Sequence, residues 1–155
     1  MFIDLVGSTK LSRELDPEDL GQTIGVFQRA CATAVNEFGG SIAKYIGDGA
    51  LAYFGYPEAH EDDAERAVRA GLALVDAITA MEQPLALRLQ VRVGIATGLT
   101  VVGELIGEGS AQERVAVGES LNLASRVQAA ASPNSVVVAE LTRILAGAGE
   151  IDPGP

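Results

Sequence analysis

Two aspartates, a lysine and an asparagine–arginine pair are the side chains of this 155-residue sequence that could do chemistry together. Asp4 ends the apolar stretch Phe2-Ile3-Asp4-Leu5 just before Gly7-Ser8-Thr9, and Asp48 lies between two glycines in Gly47-Asp48-Gly49. If the chain folds back so that they meet, paired carboxylates beside glycine turns are what hard, oxygen-loving Mg²⁺ ions need when they share a triphosphate. Each also has an ordinary reading: Gly-Asp-Gly is good turn chemistry, and an aspartate at a strand end serves equally as a helix cap. Val6 to Thr9 offer backbone N–H groups at a helix start, a natural anion site. Lys44 precedes Asp48 by four residues, an even offset that would aim both toward one face of a strand, although alone it reads as a solvated lysine. Asn122 and Arg126, four apart on a predicted helix, share a face. Taken singly, each is a surface residue.

Other chemistries have less support. Neither G-x-x-x-x-G-K-[ST] nor a G-x-G-x-x-G after a strand occurs, so the two familiar nucleotide loops are absent. His60 is the single histidine and sits in a predicted loop before Glu61-Asp62-Asp63, where it has no catalytic role. The single cysteine, Cys31, excludes a Cys-rich zinc site and an intrachain disulfide, and its spacing suits the buried side of a helix. A formal charge of -10 would repel a nucleic-acid backbone or an anionic membrane surface. A nucleotide would therefore need a local cation, and Lys10 and Lys44 are the only lysines. No apolar run approaches the ~20 residues of a membrane-spanning helix. The expectation is one soluble, cytoplasmic domain with its own core.

The elements that must position these residues follow from pattern. Phe2 to Leu5 predicts a strand that breaks at Gly7, with Ser8 or Thr9 capping a short helix. Asp16-Pro17 predicts a capped helix start, with Leu20, Ile24, Phe27, Cys31, Val35 and Phe38 as its inner stripe and Gly39-Gly40 as its stop. Ser41 to Ile46 and Ala50 to Phe54 flank Gly47-Asp48-Gly49 as a hairpin. A second long helix starts near Glu61-Asp62-Asp63, with Ala64, Val68, Gly71, Val75 and Ile78 inward, and ends before Pro84. Leu87 to Ile95 alternates as a strand, and Leu99 to Leu105 is expected to form a hairpin with it. Residues 106–113 read as a glycine-rich loop, Val115 to Val117 as a short strand and Gly118 to Ala131 as a helix. A strand over Ser135 to Ala139 and a helix over Leu141 to Ala146 complete the order. Strands mixed with helices predict an α+β sandwich whose first half has the ferredoxin-like βαββαβ pattern with extra strands.

Five blocks, FIDLVGST, AKYIGDGALAYFG, PEAHEDDAERAVRAGLAL, RVGIATG and VGESLNLASRVQ, in this order and spacing resemble the catalytic domain of class III adenylyl and guanylyl cyclases. The resemblance implies the class III nucleotidyl cyclase fold over residues 1–149, truncated at both ends, with a flexible tail at 150–155. It implies that Asp4, Asp48 and the Leu5 carbonyl bind two Mg²⁺ or Mn²⁺ ions per site, and that Gly7, Ser8 and Thr9 hold the triphosphate. Lys44 matches the base-recognising lysine of adenylyl cyclases, where guanylyl cyclases usually carry glutamate. The second base-selecting position, seven residues before the asparagine, is Val115, which offers no side-chain hydrogen bond. Asn122 matches the residue that orients the ribose and Arg126 the arginine that stabilises charge at the reacting phosphate, both reaching in from the opposite subunit. The implied protein is a homodimeric adenylate cyclase acting on ATP, fused to or regulated by other domains. A weakly active or inactive nucleotide-binding regulatory homologue and a guanylate cyclase are the alternatives.

Overall fold

The computed structural model describes residues 1–81, 88–98, 101–106, 113–117 and 119–147, with strands 101–106 and 113–117 described by their backbone. Its elements are β1 (Phe2–Leu5), α1 (Ser8–Glu14), α2 (Pro17–Glu37), β2 (Ser41–Ile46), β3 (Gly49–Tyr53), α3 (Asp63–Ala80), β4 (Val91–Ile95), β5 (Val101–Ile106), β6 (Glu113–Val117), α4 (Glu119–Ala129), β7 (Ser135–Val138) and α5 (Glu140–Leu145). Five strands form one sheet in the order β2-β3-β1-β4-β7, and β5 pairs with β6 in a second sheet. β1 is central and antiparallel to both neighbours, while β7 runs parallel to β4.

Local signals set the ends of the elements. Asp16 caps α2 by accepting from the Asp19 N–H at 2.8 Å, with Pro17 at the first helical position. At the other end Gly39 takes a φ of 82°, and the Gly40 and Gly39 N–H groups close back on the Val35 and Asn36 carbonyls at 2.9 and 3.1 Å. This Schellman-type closure needs a residue that tolerates the left-handed region, and glycine does so without strain. The α1 start differs from expectation. Gly7, not Ser8 or Thr9, is the N-cap, at φ 73°, and no side chain caps the helix.

One face of the sheet makes the core. Ile3 and Leu5 of β1, Ala50 and Ala52 of β3, and Val91, Val93 and Ile95 of β4 are buried in one cluster with Phe27, Cys31 and Val35 of α2 and Leu74 and Ile78 of α3. Burial pushes the Cys31 thiol up to about 12, which keeps it protonated and inert, in line with its core role. The opposite face carries Phe2 and Asp4 of β1, aligned with Gly94 and Arg92 of β4. Helix α4 lies on this face and approaches so closely at Gly94 that a Cβ there would stand 2.4 Å from both the Ala124 carbonyl oxygen and the Gln128 backbone nitrogen.

Two strand expectations are corrected. The strand expected over 87–95 begins at Val91, opposite the end of β1 at Leu5; the Gln90 carbonyl still accepts from the Val6 N–H at 2.8 Å before the chain turns away at Gly7. The hairpin expected between that strand and 99–105 does not form. Both hydrogen-bonding edges of β4 are occupied, by β1 and β7, so β5 pairs with β6 instead. Pro84, most of the glycine-rich loop and the tail 150–155 lie outside the described residues. No helix among the described residues is long and apolar enough to cross a membrane.

The contrast between two glycines gives a direct test of how α4 docks. Gly94→Ala is expected to lower stability by about 1–3 kcal/mol, because backbone atoms of α4 must move to admit the methyl group. Gly21→Ala, in the interior of α2 with no atom within 4 Å of the added Cβ, is expected to raise it by about 0.5–1 kcal/mol. Urea midpoints of the two variants and wild type measure both effects.

Candidate active site

Strand pairing brings Asp4 and Asp48 together across more than forty intervening residues. In the β1–β3 register Asp4 stands opposite Gly49, and Ile46 also stands opposite Gly49, so the two-residue turn Gly47-Asp48 lies at the end of β1. The Leu5 N–H donates to the Asp48 carbonyl at 3.2 Å and ties the turn to the strand end. Gly47 sits at φ 58°, the positive value that a tight hairpin turn demands at its first central position. Gly49 is required by contact, since a Cβ there would stand 2.9 Å from the Ile3 carbonyl oxygen.

The electrostatics of Asp4 follow from this crowding. Partial burial, and then the negative charge of Asp48, push its carboxyl above the usual 3.8. A hydrogen bond from the Gln128 side chain, the positive charge of Arg92 and the Leu5 backbone offset part of that rise. The Asp4 carboxyl is thus disfavoured in its charged form, and a nearby cation would favour it. Among the described residues no three of His, Cys, Asp and Glu form a metal-binding group. The donors on offer are two carboxylates and backbone carbonyls such as that of Leu5. Such a hard-oxygen set could hold Mg²⁺ or Mn²⁺ with phosphate and water filling the other positions, and it lacks the nitrogen and sulfur donors typical of zinc.

The other expected site residues are distributed around this pair. Gly7, Ser8 and Thr9 begin α1 directly after β1. Lys44 is exposed on β2 and stands opposite Leu51, which in turn faces Phe2. It therefore shares the face of Asp4 but lies two strands across and two residues along, roughly 12 Å away from strand spacing and rise. Val115 lies on β6 in the second sheet, and its side chain is outside the described residues. Asn122 and Arg126 are exposed on α4. His60 precedes α3, its backbone N–H donating to the Asp63 carboxylate at 2.7 Å.

Two residues that sequence reasoning passed over belong to the site. Arg92 stands opposite Asp4 on β4, and its buried Nε has no hydrogen-bond partner among the described residues. Alternation with Val91 and Val93 marks it as an outward-facing strand residue, and an arginine at such a position is the available signal. Gln128 of α4 comes down on β4 at Gly94, one alternate position along from Arg92, and no sequence pattern singles it out. A cavity of about 350 Å³ opens at the other end of the sheet, by Met1, Tyr53 and Ile95, and neither aspartate lines it.

The family model of the adenylate and guanylate cyclase catalytic domain matches residues 1–151. The chain belongs to this family. The cyclase domain is 42% identical over 145 residues to an uncharacterised protein of Rhizobium meliloti, covering 93% of this chain and 14% of that protein. It is 31% identical over 137 residues to an adenylate cyclase of Streptomyces griseus, covering 88% of this chain and 29% of that protein. The chain therefore spans less than a third of the length of either relative. Among solved structures, the guanylyl cyclase Cya2 superposes with a TM-score of 0.87 at 31% identity, over 94% of this chain and 76% of that one. The α+β cyclase fold read from the sequence is thus the fold of the protein.

The raised Asp4 carboxyl yields a stability prediction for the metal-free cyclase domain. A group whose folded pKa lies above its unfolded value costs stability once it is charged, so the cost is present above the folded pKa and vanishes below about 3.8. Asp4→Asn is therefore expected to raise the melting temperature at pH 7 and to lose that advantage as the pH falls toward 3.8. Thermal melts in chelator across this range check the sign.

Proposed function

We propose that this cyclase domain converts ATP to 3′,5′-cyclic AMP and pyrophosphate at sites shared between two copies of the chain. The observation that carries the shared site is the geometry of α4. Ala124 and Gln128 press on Gly94, whereas Asn122 and Arg126 lie about half a turn around the helix and are exposed. A residue on the outer face cannot turn to the aspartates of its own chain without undocking the helix. A two-fold partner offers a second pair of aspartates, and an isologous interface of this kind builds two equivalent sites.

In this reading Asp4, Asp48 and the Leu5 carbonyl hold the two ions with the triphosphate, and the first turn of α1 at Gly7, Ser8 and Thr9 donates N–H groups to phosphate oxygens. Two Mg²⁺ or Mn²⁺ ions, when bound, lower the pKa of the ribose 3′-hydroxyl and neutralise phosphate charge. Asn122 of the second chain orients the ribose so that its 3′ oxygen faces the α-phosphorus opposite the leaving group. The 3′ oxygen bonds to the α-phosphorus as the bond to the bridging oxygen breaks. Pyrophosphate departs with that electron pair, and the hydroxyl proton passes to solvent. Arg126 stabilises negative charge developing on the α-phosphate, a contribution for which removal of one donor typically costs about 10²–10³ in turnover. Arg92 supplies further positive charge beside the carboxylates, the local cation that a chain of net charge -10 needs for a nucleotide.

Lys44 favours adenine over guanine, as in the adenylyl members that the sequence resembles, while Val115 adds shape without a hydrogen bond. One missing polar contact leaves a discrimination of about 1–3 kcal/mol. Cyclic nucleotide and pyrophosphate measured after incubation with ATP or GTP and Mn²⁺ test this directly. Faster cyclic GMP formation would make the chain a guanylate cyclase, and no product from either nucleotide would leave a nucleotide-binding regulatory homologue.

The shared site is tested by complementation. Asp4→Ala and Arg126→Ala chains are each expected to be inactive alone. In an equimolar mixture that pairs at random, half the dimers are mixed and each carries one whole site, so activity returns to about a quarter of wild type. Mass measurement of the mixed dimers accompanies the assay, and mixed dimers without recovered activity would exclude a site built from two chains.

A further inference from the structure

The cavity of about 350 Å³ at the end of the sheet away from Asp4 and Asp48 has no part in the reaction described above. Its volume falls in the range of small-ligand pockets. The walls come from both faces of the sheet: Ala64 and Ala67 of α3 on the core side, Leu121 and Ala124 of α4 on the other, and Ala52 and Ile95 at the strand ends between them. Most of these are alanines, so the space exists because the side chains around it are short.

The polar part of the lining has one sign. Asp63 is its charged side chain, and no Lys, Arg or His stands among the described lining residues. The Asp63 carboxylate is partly buried and held in place by the His60 N–H at 2.7 Å and the Arg66 guanidinium at 2.6 Å. A carboxylate has room for about four donors, so lone pairs remain. Arg66 itself lies over Gly39, off the cavity wall. The Met1 amino group donates to the Ala52 carbonyl at 3.0 Å, and burial pushes it down to about 5, so it carries no charge at neutral pH. Asp63 also presses on Gly55, where an added Cβ would stand 2.7 Å from its Oδ2, and this sets the carboxylate next to Tyr56. The Tyr56 and Tyr53 rings both line the cavity and meet edge to face, with centroids 6.2 Å apart. Aromatic rings beside a carboxylate in a partly dry space attract a cation and repel an anion. The phosphates of a nucleotide would find no partner here.

We propose that this cavity is a second binding site, separate from the nucleotide site, for a small organic amine with an aromatic or aliphatic body. The body fills the alanine-lined space and the ammonium group sits between Asp63 and the tyrosines. Leu121 and Ala124 form one wall, and the Ala124 carbonyl is also an atom that abuts Gly94, so a bound amine braces α4 against the sheet.

The chain contains no tryptophan, so an indole probe is read by fluorescence without indole background from the protein. Tryptamine is expected to bind saturably, with millimolar or tighter affinity, as a rise in fluorescence anisotropy. Indole-3-propionate, an anion of similar shape, is expected to bind at least about 10-fold more weakly. Ala64→Leu, which fills the space, and Asp63→Asn, which removes the charge, should each weaken tryptamine binding by about 10-fold or more. Because Asp63 also holds His60 and Arg66, thermal melts accompany both variants, and Ala64→Leu carries the test if Asp63→Asn does not fold. In wild type, saturating tryptamine should slow amide hydrogen exchange in α3 around residues 63–67 and in α4 around residues 120–124, and leave the turn at Gly47-Asp48 unchanged. Equal binding of the anion, or wild-type affinity in a folded Asp63→Asn chain, would overturn the ligand class. No saturable binding, affinity unchanged by Ala64→Leu, or protection that spares these two helices would overturn the site.

Discussion

The register of β1 is the constraint on which the rest depends. Its side chains alternate, so Ile3 and Leu5 face the core while Phe2 and Asp4 face the other way, and a slip of one residue would exchange the two sets. Burial of the apolar pair with Val91 and Val93 of β4 and Ala50 of β3 holds the alignment. That alignment places Asp4 opposite Gly49 on one side and Arg92 on the other. The apolar core thus sets the geometry of a polar cluster on the far side of the same sheet. Because Asp4 stands on a central strand, its carboxylate inherits the rigidity of the sheet, and the Asp48 turn is tied to that strand end by the Leu5 N–H.

Against that rigid floor the fold places an element whose packing is unusually close. Helix α4 touches the sheet backbone to backbone, which the missing Cβ at Gly94 permits. A helix docked this tightly has little freedom to roll about its axis, since roll would lift Ala124 and Gln128 from the strand. The outward direction of Asn122 and Arg126 is then fixed by the inward packing of residues two positions away. The proposed two-chain site would require this, because an arginine would have to arrive at a phosphate across an interface to within a hydrogen-bond length.

Charge is distributed to match. The chain carries 21 acidic against 11 basic residues, yet the face that bears Asp4 also bears Arg92 and Lys44, and α4 adds Arg126. Several of the remaining arginines are paired along helices. Arg69 bonds Glu65 and Arg143 bonds Glu140 at the surface, while Arg66 holds Asp63 at 2.6 Å across the start of α3. Arg92, like Arg66, keeps a buried Nε without a hydrogen-bond partner among the described residues, and it stands beside a carboxyl pushed up by burial and by Asp48.

Sequence alone determined whatever depends on near neighbours. The Asp16-Pro17 cap, the left-handed stop at Gly39, the turn at Gly47-Asp48 and the inner stripe through Phe27, Cys31 and Val35 are all local, and each stands where its residues predict. The five blocks in order carried the family, because their spacing reflects a whole site at once. What only the tertiary structure decided was partnership. Alternation shows that 91–95 is a strand but not that β1 and β7 take both its edges, which is why β5 turned to β6. Nor does a pattern of 3.6 residues tell which strand a helix lands on. Arg92 and Gln128 became neighbours of Asp4 only through a register and a docking contact set by residues far off in the chain. Hydrogen-bonding edges and backbone contacts are shared between distant segments, so their allocation is a property of the packed molecule and not of any stretch of its sequence.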